Sequence, residues 1–172
     1  PGTLTEEALL EPKARNYLTA VFRAPARANA SSGADAKIAL ASIDISTGDC
    51  EIGAVAAADF AGELVRLAPT EVLATDAFLA DREFSKWIDI AGGKATPVPS
   101  AYFDSLSGER DIKERLGVTD LAAFGVFDRL ELAAAGALLK YIDLTQMGRK
   151  PLMRAPRRSG SHAVLTIDPA SR

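Results

Sequence analysis

Few side chains in this sequence could do chemistry, and those few stand apart from one another. Metal-dependent cleavage of a phosphodiester needs several carboxylates clustered on two divalent ions. Asp44 is the one carboxylate near the middle of the expected sheet, and Ser46-Thr47-Gly48 follows it at once, so it reads as a strand-end residue capping a turn. His162 is the sole histidine and has no companion cysteine nearby, which leaves neither a metal set nor a triad. Cys50, the sole cysteine, lies on a β-rich run and reads as a small packed hydrophobe. Gly92-Gly93-Lys94-Ala95 is the one Gly-Lys in a glycine cluster. It lacks a hydroxyl after the lysine and has Ile88 where a phosphate loop needs its first glycine. That segment is expected to stop a helix and feed a turn. Residue types and spacing therefore point to a non-catalytic α/β module.

The elements that must position these residues are organised around residues 37–56. Two β-rich runs there flank Ser46-Thr47-Gly48-Asp49, which predicts an antiparallel hairpin. The first run, from Ile38 to Ile45, is largely apolar on both faces and belongs inside a sheet. A chain of 172 residues, 48% hydrophobic and 25% charged, fits one ordinary globular domain. Its net charge of −3 excludes a globally nucleic-acid-coating surface but not a local basic patch. One cysteine forms no intrachain disulfide. No run approaches the roughly 20 apolar residues of a membrane span, and no signal-peptide layout opens the chain, so the expected location is the cytoplasm with no membrane partner.

Taken in order, Pro1-Gly2-Thr3 reads as the middle of something longer, and Thr5 could cap one helical turn. A strand is expected over 16–22 and a loop over 24–35. After the hairpin comes a helix capped by Asp59, with Phe60, Leu64 and Leu67 on one stripe and Pro69 as its stop. A buried strand over 71–75 follows, then a helix over 78–90, a proline-weakened edge strand over 95–99 and a helix over 105–116 ended by Gly117. The longest helix signal runs over 130–146. Its small residues Ala133, Ala134, Gly136 and Ala137 would let the backbone lie close to a sheet or a second helix. Residues 148–160 carry Arg149, Lys150, Arg154, Arg157 and Arg158 without apolar periodicity. They read as a mobile basic connector that could touch a DNA backbone. A last short strand is expected over 163–167.

This order predicts an α/β fold with a ribonuclease-H-like mixed sheet, an antiparallel meander followed by parallel strands. Helices cover both faces and a long C-terminal helix is appended. A nuclease of that fold would begin its metal site with an acid on the first strand, and Tyr17 to Phe22 contain none.

Several stretches resemble the MutS mismatch-repair family. These are the opening Pro1-Gly2-Thr3 with Asn16-Tyr17-Leu18, the turn Asp44-Ile45-Ser46-Thr47-Gly48, and Glu63-Leu64 leading to Pro69-Thr70-Glu71-Val72-Leu73. Two more are Ala134-Ala135-Gly136-Ala137-Leu138-Leu139 with Thr145-Gln146, and Leu165-Thr166-Ile167-Asp168-Pro169. The resemblance is collinear over essentially the whole chain. It implies a connector domain over 16–147, preceded over 1–15 by the end of a linker from a mismatch-reading domain and followed over 148–172 by a basic linker into a core domain. The sequence departs from the family at Ala101-Tyr102-Phe103-Asp104, where many members have a Trp-containing motif, and in the extended 24–35 loop.

The family's Phe-x-Glu wedge and Walker ATPase motifs have no equivalent within these residues. The resemblance accordingly implies no catalytic, cofactor or metal site here. ATP and Mg would belong to the ATPase domain of a dimeric parent, and DNA would be held mainly by other domains. It also implies a relay of conformational state between neighbouring MutS domains and a docking surface for MutL on the 105–116 helix, at Glu109, Arg110 and Asp111. On that helix Ile112 and Leu116 are expected to form a short apolar seam amid charges that include Lys113, Glu114 and Arg115. The fragment is expected to be a monomer. A reading of a different class is a degenerate ribonuclease-H-like, metal-dependent nuclease.

Overall fold

The computed structural model describes residues 16–23, 37–146 and 152–159. Thr5, the 24–35 loop, Arg149, Lys150, His162 and the strand expected over 163–167 lie outside the described residues.

The described residues form one mixed sheet of six strands. The strands are β1 (Tyr17–Arg23), β2 (Lys37–Asp44), β3 (Cys50–Ala56), β4 (Glu71–Ala74), β5 (Lys94–Pro97) and β6 (Arg157–Ser159). Their spatial order is β5-β4-β1-β2-β3-β6. β1 and β2 are antiparallel with Tyr17 opposite Asp44, β2 and β3 are antiparallel with Ile43 opposite Cys50, and the other three pairings are parallel.

Asp44 closes the hairpin as expected. Its carboxylate accepts from the Ser46 amide at 2.8 Å and its carbonyl accepts from the Gly48 amide at 2.7 Å. Gly48 sits at φ +84°, a left-handed conformation that favours glycine. Cys50 is buried, and burial, followed by the Glu51 charge, pushes its thiol up to about 12, where it is no nucleophile at neutral pH.

The double-sided apolar run of β2 has the consequence expected of it, namely two cores. Leu18, Ala20, Ala39, Ala41 and Ile43 face one layer with Leu138, Leu139 and Ile142. Tyr17, Val21, Ile38 and Leu40 face the other with Phe60, Leu64, Phe84 and Ile88. Each such leucine, isoleucine or phenylalanine contributes about 1.5–3 kcal/mol on full burial. The second layer consists of α1 (Phe60–Leu67), α2 (Asp76–Leu79) and α3 (Arg82–Ile90). The first is built from α4 (Ser105–Leu116) and α5 (Arg129–Thr145).

Several expectations change. Asp59 makes no side-chain cap, because a 3-10 turn over Ala57–Asp59 leads straight into α1. That helix ends where Ala68 turns left-handed at φ 45°, just before Pro69. The single helix expected over 78–90 is two: Thr75 caps α2 and Asp81 caps α3, each accepting a backbone amide through its side chain. The break brings Phe60, Phe78 and Phe84 together with ring centroids 4.7–5.7 Å apart. The connector expected over 148–160 is corrected at 157–159, which pair with β3 as a strand.

Candidate functional site

Helix α4 is well specified at both ends. Asp104 caps it, accepting from the Leu106 amide at 3.2 Å and from the Ser107 hydroxyl at 2.7 Å. The Ser107 bond leads the causes that hold the Asp104 carboxyl below its ordinary range. Gly117, at φ +68°, ends the helix. Glu131 and Asp128 form a reciprocal capping box at the start of α5, with bonds of 2.8 and 3.0 Å.

These two helices cross at Gly108 and Gly136. A methyl on Gly108 would lie 2.0 Å from the Leu132 carbonyl oxygen, so only glycine permits the approach. The small face read on α5 is thus spent on tight packing against α4 and the sheet. Ile112 is fully buried in that packing and Leu116 packs against the same core, which corrects the expected apolar seam: it points inward. The apolar side chains that α4 and α5 leave outside are Leu106 and Leu144.

The outward side of the pair forms a groove of about 320 Å³, lined by Tyr102, Ser107, Arg110, Asp111, Lys140 and Leu144 among others. Arg110 reaches toward Asp111 at 3.5 Å and keeps 72% of its side chain exposed, while Asp111 keeps 25%. Glu109 pairs with Lys113 at 2.8 Å, one helical turn away. Lys140 stands over the Tyr102 ring at 5.5 Å. Arg115, expected among the solvated charges, is instead buried against Asp143 of α5. Arg110 and Asp111 therefore line the groove, whereas Glu109, paired with Lys113, does not. The groove's other wall, Tyr102, Lys140 and Leu144, carries no local motif that would have announced it.

Of the described residues of the basic run, Arg157 and Arg158 lie on β6 beside β3 and Arg154 precedes it. Arg154 lies 3.9 Å from Asp49, Arg157 lies 3.7 Å from Glu51, and Arg158 lies 2.6 Å from Glu131.

The buried carboxylates are engaged inside the protein. Glu51 and Glu63 are held by Arg66 at 2.7 and 2.6 Å. Half-buried Glu71 likewise accepts from the Thr96 hydroxyl at 2.6 Å and the Tyr141 hydroxyl at 2.7 Å. Among the described residues no group of three or more His, Cys, Asp or Glu could hold a metal ion. The nuclease reading gains no support from this arrangement. No helix among the described residues is long and apolar enough to cross a membrane.

A family model described as MutS domain II matches residues 16–154. Over 172 residues, all of this chain, the sequence is 39% identical to the DNA mismatch repair protein MutS of Caulobacter vibrioides and 41% identical to that of Rhodopseudomonas palustris strain BisB18. It is 44% identical to the DNA mismatch repair protein MutS of Cereibacter sphaeroides over the same span. The chain spans 18% of the length of each of these relatives.

Proposed function

Because the chain belongs to the MutS mismatch-repair family, as its domain II, we propose that it is a non-catalytic connector relaying conformational state between mismatch-binding and ATPase domains of its parent. Its strand order, with β1 central between antiparallel β2 and parallel β4, supports a ribonuclease-H-like description of the fold. ATP and Mg act in the parent's ATPase domain, the parent is a dimer, and the setting is the cytoplasm. The connector folds alone as a monomer on its two cores.

MutL docks on α4. The observation that carries this reading is the mixed charge of exposed Arg110 and half-buried Asp111 lining the α4–α5 groove, with Glu109 next to them on a helix whose backbone is fixed by its glycine crossing. Such a face sets orientation and association rate more than raw affinity.

Exchanging the two signs, Arg110→Asp with Asp111→Arg, preserves their local pairing while inverting the pattern offered to a partner. In the full-length parent this exchange weakens MutL recruitment and leaves the melting temperature nearly unchanged. Undiminished recruitment would remove the docking surface from α4.

A further inference from the structure

β6 is held to the sheet in an unusual way. Strand side chains alternate between faces, so Arg157 and Ser159 meet one helical layer and Arg158 the other. On the first side, the Ser159 hydroxyl donates to Glu63 Oε1 at 2.6 Å and accepts from Arg66 Nη2 at 3.0 Å. The same guanidinium binds Glu51, whose other oxygen accepts from the Tyr17 hydroxyl at 3.2 Å and lies 3.7 Å from Arg157. On the second side, Arg158 pairs with Glu131 at 2.6 Å and lies over the Phe127 ring at 5.1 Å. A strand of three residues thus joins α1 to the start of α5 across the sheet edge.

None of those three side chains is apolar, so the hydrophobic effect does not hold the strand down. The apolar anchors of the segment are Met153, which is buried in the core layer of α5, and Pro156, which is also buried. Between them the Arg154 amide donates to the Gly48 carbonyl at 2.9 Å. The anchoring thus reaches the residue before β6, and Pro156 brings no amide to the ladder. Arg66, Arg157 and Arg158 are each 40% exposed or more, so water and salt reach these pairs. On release Glu63 and Glu51 keep Arg66, whereas Glu131 gives up Arg158 and keeps the Asp128 amide.

We propose that residues 157–159 are a releasable strap, opening as a unit from β3 at the junction of Pro156 and Arg157 while β1 to β5 stay folded, and that when docked they tie α1 to α5. The release stands on these residues alone. Its use in relaying state to the following chain rests on the connector reading above.

Gly53 supplies a selective probe, since a methyl there would lie 2.2 Å from the Ser159 carbonyl oxygen and its nearest neighbours all belong to Ser159. Amide hydrogen exchange of the whole 172-residue chain tests the strap. The amides of β6 should exchange at least roughly tenfold faster than those of β1 and β2, as expected of a low-stability unit. Raising salt should widen the gap. Gly53→Ala should abolish protection in β6 and leave β1, β2 and β4 protected. Ser159→Ala, which leaves the backbone undisturbed, should speed exchange in β6 alone.

The strap is overturned if β6 exchanges only with β1 and β2, or keeps its protection in Gly53→Ala. Loss of protection throughout the sheet in either variant also overturns it, because β6 would then be part of the cooperative core.

Discussion

Gly108 of α4 sits directly against Gly136 of α5: a methyl on Gly136 would lie 3.1 Å from the Gly108 Cα and 2.7 Å from the Asp104 carbonyl oxygen. The contacts are to backbone, which cannot swing aside. Gly108→Ala or Gly136→Ala should therefore push the helices apart and cost about 1–3 kcal/mol, as overpacking does. Gly62 of α1 is the control, because nothing lies within 4 Å of a methyl there. Gly62→Ala should stabilise by roughly 0.5–1 kcal/mol through helix propensity. Urea denaturation separates the cases, and equal effects at the three positions would contradict the close crossing.

The Glu63 carboxylate gives a pH signature. Burial pushes its pKa up, but the bonds from Arg66 and Ser159 outweigh burial and hold it below the ordinary range. A depressed folded pKa gives stability that is present above the unfolded value, about 4.3, and is lost as pH falls through the folded one. Glu63→Gln should accordingly cost about 1–3 kcal/mol at pH 7, a range typical of bonds to charged groups. The gap to the parent sequence should close on acidification below pH 4. Thermal melts across that range check it, and a gap that widens in acid would refute the assignment.

Tyr141 works at the alkaline end. Burial and then the Glu71 carboxylate raise its hydroxyl to about 12, so the folded state keeps a proton that the unfolded chain releases near 10. Stability from this source is whole below pH 10 and declines as pH rises toward 12. Tyr141→Phe should cost about 1 kcal/mol at neutral pH and flatten that decline. A Tyr141→Phe chain with an unchanged alkaline profile would place the titration elsewhere.

DNA contact by the basic run should be weak and blind to mismatches. Arg154 and Arg157 are 63% and 61% exposed and can meet phosphates, whereas Arg158 is engaged by Glu131. Phosphate contacts carry no sequence information and fade with salt. Anisotropy titrations should show equal, salt-sensitive binding to matched and mismatched duplexes. A preference for the mismatch at moderate salt would contradict this.

The hairpin, the places of the first five strands along the chain and the α4 and α5 helices were legible because each carries its own periodicity and punctuation. Asp44 before Ser46-Thr47-Gly48 and Gly117 after Leu116 are local signals with local causes. Two features were less so. The break at Ala80-Asp81 was masked by Leu79 and Ala80, good helix formers, although Asp81 was there to be read as a second cap. β6 was illegible because Arg157, Arg158 and Ser159 have neither apolar alternation nor β propensity; they are held by Glu51, Glu63, Arg66 and Glu131, distant in sequence. The α4–α5 groove is only partly readable. Arg110 and Asp111 lie on one helix with Tyr102 just before it, but Lys140 and Leu144 join them only through the packing of α5 on α4.

The docking claim is tested most directly by adding MutL to the isotope-labelled chain and mapping amide shift changes. The account predicts changes concentrated on α4 and on Tyr102 and Lys140 across the groove, diminishing when Arg110 and Asp111 are exchanged. Changes confined to the β5 edge or to the α1–α3 layer, with α4 unmoved, would contradict it.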